Sequence, residues 1–304
     1  MMLRRLAGSL LALALASGAP AAHAQADDSA PVELTGTLAK ARASGAITLA
    51  FRESSIPFSF LSPRKEPIGY SIELCKKLIE AIGATVGKEL AVKWLAVTSE
   101  TRIDAIASGR ADLECGSTTD NLERRKLVAF SPTIFVAGTK LLVRRGSPVR
   151  SFRDLRGRTV VVTAGTTNEK AMHEIARRFK LDFKVATARD HAEYYAQLEA
   201  GRADAFATDD VLLFGLIAQH KAHKMYQVVG EFLSYDPYGI MFRKDDPQLA
   251  AIVKQAFHDL AEDGEVERQY KRWFLRRLPS GESLDLPMSP QLETLIRAMA
   301  AKPE

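Results

Sequence analysis

Hydrophobic positions along the chain change period repeatedly. From Ser71 to Ala84 they fall at Ile72, Cys75, Leu78, Ile79 and Ile82, the repeat of an amphipathic helix, with Gly83 and Gly87 closing it. Short apolar or alternating runs read as strands: Ala46 to Arg52, Leu90 to Val97, Ala111 to Cys115, Val160 to Val162, Phe183 to Ala186 and Ala203 to Ala207. Helical spacing separates them, at Thr35 to Ser44, Thr101 to Ser108, Asn121 to Leu127, Asn168 to Phe179, His191 to Ala200 and Val211 to His220. Strands alternating with helices at this spacing predict an α/β sheet with mixed or parallel strands. Two extended stretches, Phe130 to Arg144 and Phe232 to Phe242, flank the second series. After them come helices from Pro247 to Glu262 and Gly264 to Trp273, then a Pro- and Ser-containing tail.

Two such series predict two lobes joined by two crossing strands, with the first lobe receiving both chain ends. The expected division is 32–137 plus 238–304 for the first lobe and 138–237 for the second. In open α/β sheets ligands bind at the carboxyl ends of strands, and in a two-lobed molecule those ends face one cleft.

The N-terminus changes the compartment. Arg4 and Arg5, the apolar run Leu6 to Ala16 and the site Ala22-His23-Ala24 have the order of a secretory signal peptide, cleaved after Ala24. The apolar run is shorter than the roughly 20 residues needed to span a bilayer. Gln25 to Pro31 is polar and Ala-rich, and is expected to be disordered. Removing residues 1–24 takes away two arginines and no acids, so the net charge falls from +5 to +3. That mild balance has no basic tract of the nucleic-acid-binding kind, and no nucleic-acid partner is expected. A periplasmic location permits a disulfide. Cys75 on a helix and Cys115 on a strand nevertheless both read as buried small hydrophobes, and two free thiols are expected.

Four strand-to-helix loops carry the chemistry. Ser117, Thr118 and Thr119 precede Asp120 and Glu123, whose spacing is that of a capping box; helix N-terminal N–H groups and hydroxyls there suit an anion. Arg124 in the first turn can lean back toward it with a carboxylate-matching fork. Thr163 to Glu169 repeats the logic, with Thr166 as cap. In Thr208-Asp209-Asp210, Asp210 is better placed to cap the next helix, leaving Asp209 to face an ammonium. Asp190 and Glu193 cap the helix on which His191 stands, exposed or donating to an acidic ligand. Arg52 and Arg102 stand at a strand end and a helix start. Taken singly, each of these features is also an ordinary cap or surface charge. His220 and His223 lack further ligands for a metal, and no phosphate-loop, dinucleotide or nucleophile-elbow motif occurs.

The segments FRESSIPFSF (51–60), TSETRI (98–103), ECGSTTDNLERR (114–125), FSPTIFVAGTKLLV (130–143), VVVTAGTTNE (160–169), ARDH (188–191), LEAGRADAFATDD (198–210) and FRKDDPQ (242–248) resemble, in order, the periplasmic glutamate/aspartate-binding proteins of amino-acid ABC transporters, solute-binding protein family 3. The resemblance implies the type II periplasmic binding fold, no enzymatic activity, no cofactor, and a monomer that delivers L-glutamate or L-aspartate to the membrane permease of an ABC importer. It also implies roles: Arg124, Ser117, Thr119 and Thr166 on the α-carboxylate, and Asp209 on the α-ammonium. Arg52, Arg102, His191, Ser99 and Thr163 would take the side-chain carboxylate. Three arginines against one aspartate then argue for a ligand with a second carboxylate, since unpaired buried charge is costly. Cys75 and Ile240 depart from the family pattern, the latter where a family cysteine is expected. A dehydratase on the same scaffold, a ligand sensor and another small dicarboxylate as ligand are the competing readings.

Overall fold

Strand β1 (Ala46–Phe51) shows how the sequence pattern becomes a layered fold. Its Ile47, Leu49 and Phe51 pack into one core and Ala50 into another, because successive side chains point to opposite faces of a strand. The computed structural model describes residues 33–301. The expected signal peptide and the segment Gln25 to Pro31 lie outside the described residues. From Leu34 onward the described residues form one compact unit.

In chain order, helix α1 (Gly36–Ser44) precedes β1, which leads to a three-stranded meander of β2 (Ser54–Ser55), β3 (Ser59–Leu61) and β4 (Pro67–Ile68). Then follow α2 (Tyr70–Val86), β5 (Ala91–Ala96), α3 (Arg102–Ala107), β6 (Leu113–Glu114), α4 (Leu122–Arg125) and β7 (Val128–Phe130). The chain continues through β8 (Phe135–Ala137), β9 (Thr139–Arg144), β10 (Thr159–Thr163), α5 (Thr167–Phe179), β11 (Lys184–Ala188) and α6 (His191–Glu199). Next are β12 (Ala205–Asp209), α7 (Asp210–Gln219), β13 (Tyr226–Val229), β14 (Asp236–Tyr238) and β15 (Met241–Arg243). Helices α8 (Pro247–Glu262), α9 (Glu265–Tyr270) and α10 (Pro290–Ala300) finish the fold.

Two five-stranded sheets build two lobes. Lobe 1 has the order β5-β1-β6-β15-β7, with β1 parallel to β5 and β6, and β15 antiparallel to β6 and β7. Lobe 2 has the order β11-β10-β12-β9-β13, with β10 parallel to β11 and β12, and β9 antiparallel to β12 and β13. Each lobe has a core on both sheet faces; in lobe 2, Val161 enters one and Val160 and Val162 the other. The lobes are joined by β8 and β14, an antiparallel pair in which Ala137 faces Asp236 and Phe135 faces Tyr238. Phe135 stacks on Phe274 at 5.0 Å and meets Phe58 edge-on at 5.0 Å, so the hinge is seated in an aromatic cluster of lobe 1.

Three expectations are corrected. Helix α2 runs through Gly83 and ends at Gly87, whose left-handed φ of 69° supplies the C-terminal turn. The tail contains α10, started by Ser289 and Pro290, with Leu292 and Ile296 buried against the lobe 1 core. Cys75 and Cys115 form a disulfide. The apolar face of α2 lies on the sheet, which brings the two Cα atoms to 6.3 Å, within bridging range; burial of both residues, read as hydrophobic packing, is equally the mark of a buried bridge. None of the described helices is long and apolar enough to cross a membrane.

Candidate functional site between the lobes

The four loops converge. Arg52, Ser99, Arg102, Ser117 and Thr119 from lobe 1 face Thr166, His191 and Asp209 from lobe 2 across a narrow space, whose walls are completed by Thr167, Asn168, Thr208 and Leu212. Thr163 and Arg124 stand just outside this lining. Thr163 is buried beside the Tyr194 hydroxyl, and Arg124 is buried under the lobe 1 loop. The lobes touch at this level: the Thr119 and Thr167 hydroxyls are 3.3 Å apart, and the His191 ring reaches the Ser54 carbonyl at 3.2 Å. Two glycines permit the approach. A methyl group on Gly165 would come within 2.9 Å of Glu100 Cγ, and one on Gly215 would collide with the Ile56 carbonyl.

In lobe 1 the arginines are anchored by some donors and keep others free. Arg102 Nη1 donates to Thr118 Oγ1 at 2.6 Å and to the Ser117 carbonyl at 3.3 Å. Arg124 Nη1 donates to the Thr119 carbonyl at 2.7 Å, which holds the loop from behind. Among the described residues, Arg52 Nη2, Arg102 Nε and Ser99 Oγ are buried without a hydrogen-bond partner. Buried donors of this kind are costly unless something accepts from them. The capping box expected at Asp120 is corrected: Asn121 caps α4, accepting from Arg124 N, while Asp120 pairs with the Arg125 guanidinium at 2.5 Å. The Asp120 carboxylate is thus engaged by Arg125, and its N–H donates to the Pro237 carbonyl, fixing the loop against β14.

Lobe 2 follows the expected capping more closely. Thr166 caps α5 by accepting from Glu169 N, and its hydroxyl donates to the Thr163 carbonyl at 2.7 Å. The reciprocal bond is displaced by one residue, because the Glu169 carboxylate accepts from Gly165 N. Asp190 caps α6 through Ala192 N and Glu193 N. Asp209 makes no cap; it accepts from Asn168 Nδ2 at 2.8 Å and from the Tyr238 hydroxyl. The expectation that Asp210 caps α7 is corrected: Asp209 stands at the N-cap position, and Asp210 is the first helical residue, where its carboxylate accepts from Gly138 N at 3.4 Å, just ahead of β9. His191 is buried rather than exposed.

Burial and neighbouring charge decide the protonation states. Burial lowers Arg52 to about 10, with repulsion from Arg102 adding and attraction from Glu114 opposing. Burial and the same Arg102 charge lower Arg124 to about 9. Both remain cations at neutral pH. Burial, then the nearby Asp236, raises Asp209 to about 7. Burial and the Arg52 charge drive His191 down to about 3, so its ring is neutral; Nδ1–H donates to Ser54 O and Nε2 is left as an acceptor. Donation from this ring to an acid therefore requires protonation or a turned ring.

The charge count made from sequence omitted two acids. Glu114, fully buried on β6, accepts from Thr118 Oγ1 at 2.7 Å, and Asp236 on β14 accepts from Thr119 Oγ1 at 3.0 Å. Both act on the arginines electrostatically. The case for an acidic ligand therefore rests on the unpartnered donors, since the fixed charges around the site balance. Glu114 alternates with the chemistry-bearing loop on a two-residue strand and carried no local signal. Asp236 lies in the extended stretch whose only readable features were Pro237 and Gly239. Asn168 stood within a quoted motif but showed no spacing that assigned it. His220 stacks on Tyr195 and His223 faces Glu282, so those two rings do not converge.

Residues 47–276 match the bacterial extracellular solute-binding proteins, family 3. The chain belongs to that family. This solute-binding protein is 42% identical to an L-glutamate/L-aspartate-binding protein of Pseudomonas aeruginosa over 98% of each chain. It is 38% identical to a glutamate/aspartate import solute-binding protein of Escherichia coli over 98% of this chain and 97% of that one. Among solved structures, an ancestral arginine-binding protein bound to arginine superposes with a TM-score of 0.69 at 28% identity, covering 76% of this chain and 98% of the other. These relatives are transport binding proteins rather than enzymes, which agrees with the expectation of a non-catalytic site.

Proposed function

We propose that this solute-binding protein captures L-glutamate or L-aspartate in the periplasm, between its two lobes, and delivers it to the membrane permease of an ABC importer. The observation that carries this reading is the set of buried, unpartnered donors, Arg52 Nη2, Arg102 Nε and Ser99 Oγ, facing Asp209 across the narrow space between the lobes. Arg124, Ser117, Thr119 and Thr166 would hold the α-carboxylate, and Asp209 the ammonium. The side-chain carboxylate would meet Arg52, Arg102 and Ser99, with His191 and Thr163 at its edge. The similarity to glutamate/aspartate-binding relatives over nearly the whole chain supports the same ligand class.

Isothermal titration of ligand-stripped protein with L-glutamate, L-aspartate and L-glutamine tests it. An amide places an NH2 group against guanidinium donors in a site built to donate, so L-glutamine should bind at least a hundredfold more weakly. Equal affinity for glutamate and glutamine, or no binding of either acid, would reject the reading.

A further inference from the structure

The hinge strand β14 meets two site residues with its side chains. Tyr238 donates its hydroxyl proton to Asp209. Asp236, 1% exposed, accepts from Thr119 Oγ1 at 3.0 Å and from the Ser234 hydroxyl. Ser234 Oγ in turn accepts from Thr139 N at 2.9 Å and lies 2.7 Å from Thr139 Oγ1. Asn168 Nδ2 donates to both Thr139 Oγ1 and Asp209. A hydroxyl carries one proton, and a carboxylate can only accept. Thr119 therefore spends its proton on Asp236, the stronger acceptor of its two neighbours, and its oxygen faces the cavity with lone pairs.

We propose that Asp236 is a positioning residue for ligand selectivity: by taking the Thr119 proton, it turns that hydroxyl into an acceptor that favours ligands bearing an ammonium group over dicarboxylates that lack one. Thr119 then offers its oxygen to the ammonium beside Asp209, and only its backbone remains for the α-carboxylate. The backbone bonds of Asp120 N to Pro237 O and Gly239 N to Thr118 O hold the loop in register with β14, so the pairing does not depend on a side chain of the ligand. The inference rests on the proposed function, because it presumes an amino acid in this cavity.

The test compares L-glutamate with glutarate, which has the same two carboxylates and no amine. Titrations use the full chain as wild type, Thr119→Val, Asp236→Ala and the double variant. Asp236→Ala should cut the preference for glutamate over glutarate at least tenfold, and in the Thr119→Val background it should change that preference less than twofold. Equal weakening of both ligands means a merely structural role, and additive effects mean that Asp236 acts by charge through space; either overturns the proposal. Should Asp236→Ala not fold, Asp236→Leu takes its place in the cycle. It should lower the preference at least threefold, and only while Thr119 is present; an unchanged preference overturns the proposal. A wild-type protein that binds neither L-glutamate nor L-aspartate would instead defeat the functional reading.

Discussion

Asp209 is the residue whose charge state the ligand should change. Burial beside Asp236 raises its carboxyl to about 7, whereas an unfolded aspartate titrates near 4. The folded, ligand-free protein therefore holds a proton that the unfolded chain has lost, and its stability should fall as pH rises from about 4 to 7. An ammonium placed beside Asp209 favours the carboxylate and expels that proton. Binding should then release protons at pH 6 and almost none at pH 8, with affinity rising up to about tenfold across that interval by linkage. Titration calorimetry in buffers of different ionisation enthalpy reads the release directly, and Asp209→Asn should abolish it. Release that survives this substitution would place the proton elsewhere. The arginines carry a separate expectation: Arg52→Met or Arg102→Met should weaken L-glutamate by about 2–4 kcal/mol and L-glutamine by less, since each removes a charge-assisted bond to the side-chain carboxylate alone.

At the scale of elements, the disulfide ties α2 to the end of β6, one residue before the loop that carries Ser117 and Thr119. It closes a loop of 40 residues, for which chain entropy gives about 2–4 kcal/mol of stabilisation. Cys75→Ser with Cys115→Ser should lower the guanidinium midpoint accordingly, while a midpoint equal to wild type would show that packing alone holds α2. The periodic elements were legible because each has one buried face, as in the 3.6-residue repeat of α2 or the single-phase strand β10. The capping residues Thr166 and Asp190 were legible for a similar reason, since a cap is a local pattern. Asn121 took the α4 cap while the Asp120 carboxylate pairs with Arg125 and its N–H donates to β14, more than a hundred residues later, a contact no local pattern carries. The small face of α10, Leu292 and Ile296 in a polar tail, fell below a readable repeat until α8 supplied its partner surface. Asp236 was illegible for the same cause, its partner Thr119 lying 117 residues away, and Glu114, although bonded to the nearby Thr118, gains its part in the site only from Arg52 and Arg102.

For the whole molecule, the proposed function requires the lobes to meet and part. Gly215 on α7 admits the Ile56 carbonyl of lobe 1 where any Cβ would collide. Gly215→Ala, placed in a helix where alanine is favoured, should leave thermal stability near wild type yet act as a wedge between the lobes. It should weaken L-glutamate at least tenfold by titration; unchanged affinity would mean that binding does not need this contact. In wild type, small-angle scattering should show a smaller radius of gyration with saturating L-glutamate than without it, as expected of hinge closure around a ligand. The order of strands has one more consequence. The lobe 2 sheet uses only residues between Thr139 and Val229, whereas the lobe 1 sheet lacks an inner strand until Met241–Arg243 is available. A polypeptide emerging N-terminus first thus completes its second sheet before its first, and the half begun earliest must wait, its strand edges open, for the last third of the chain to arrive.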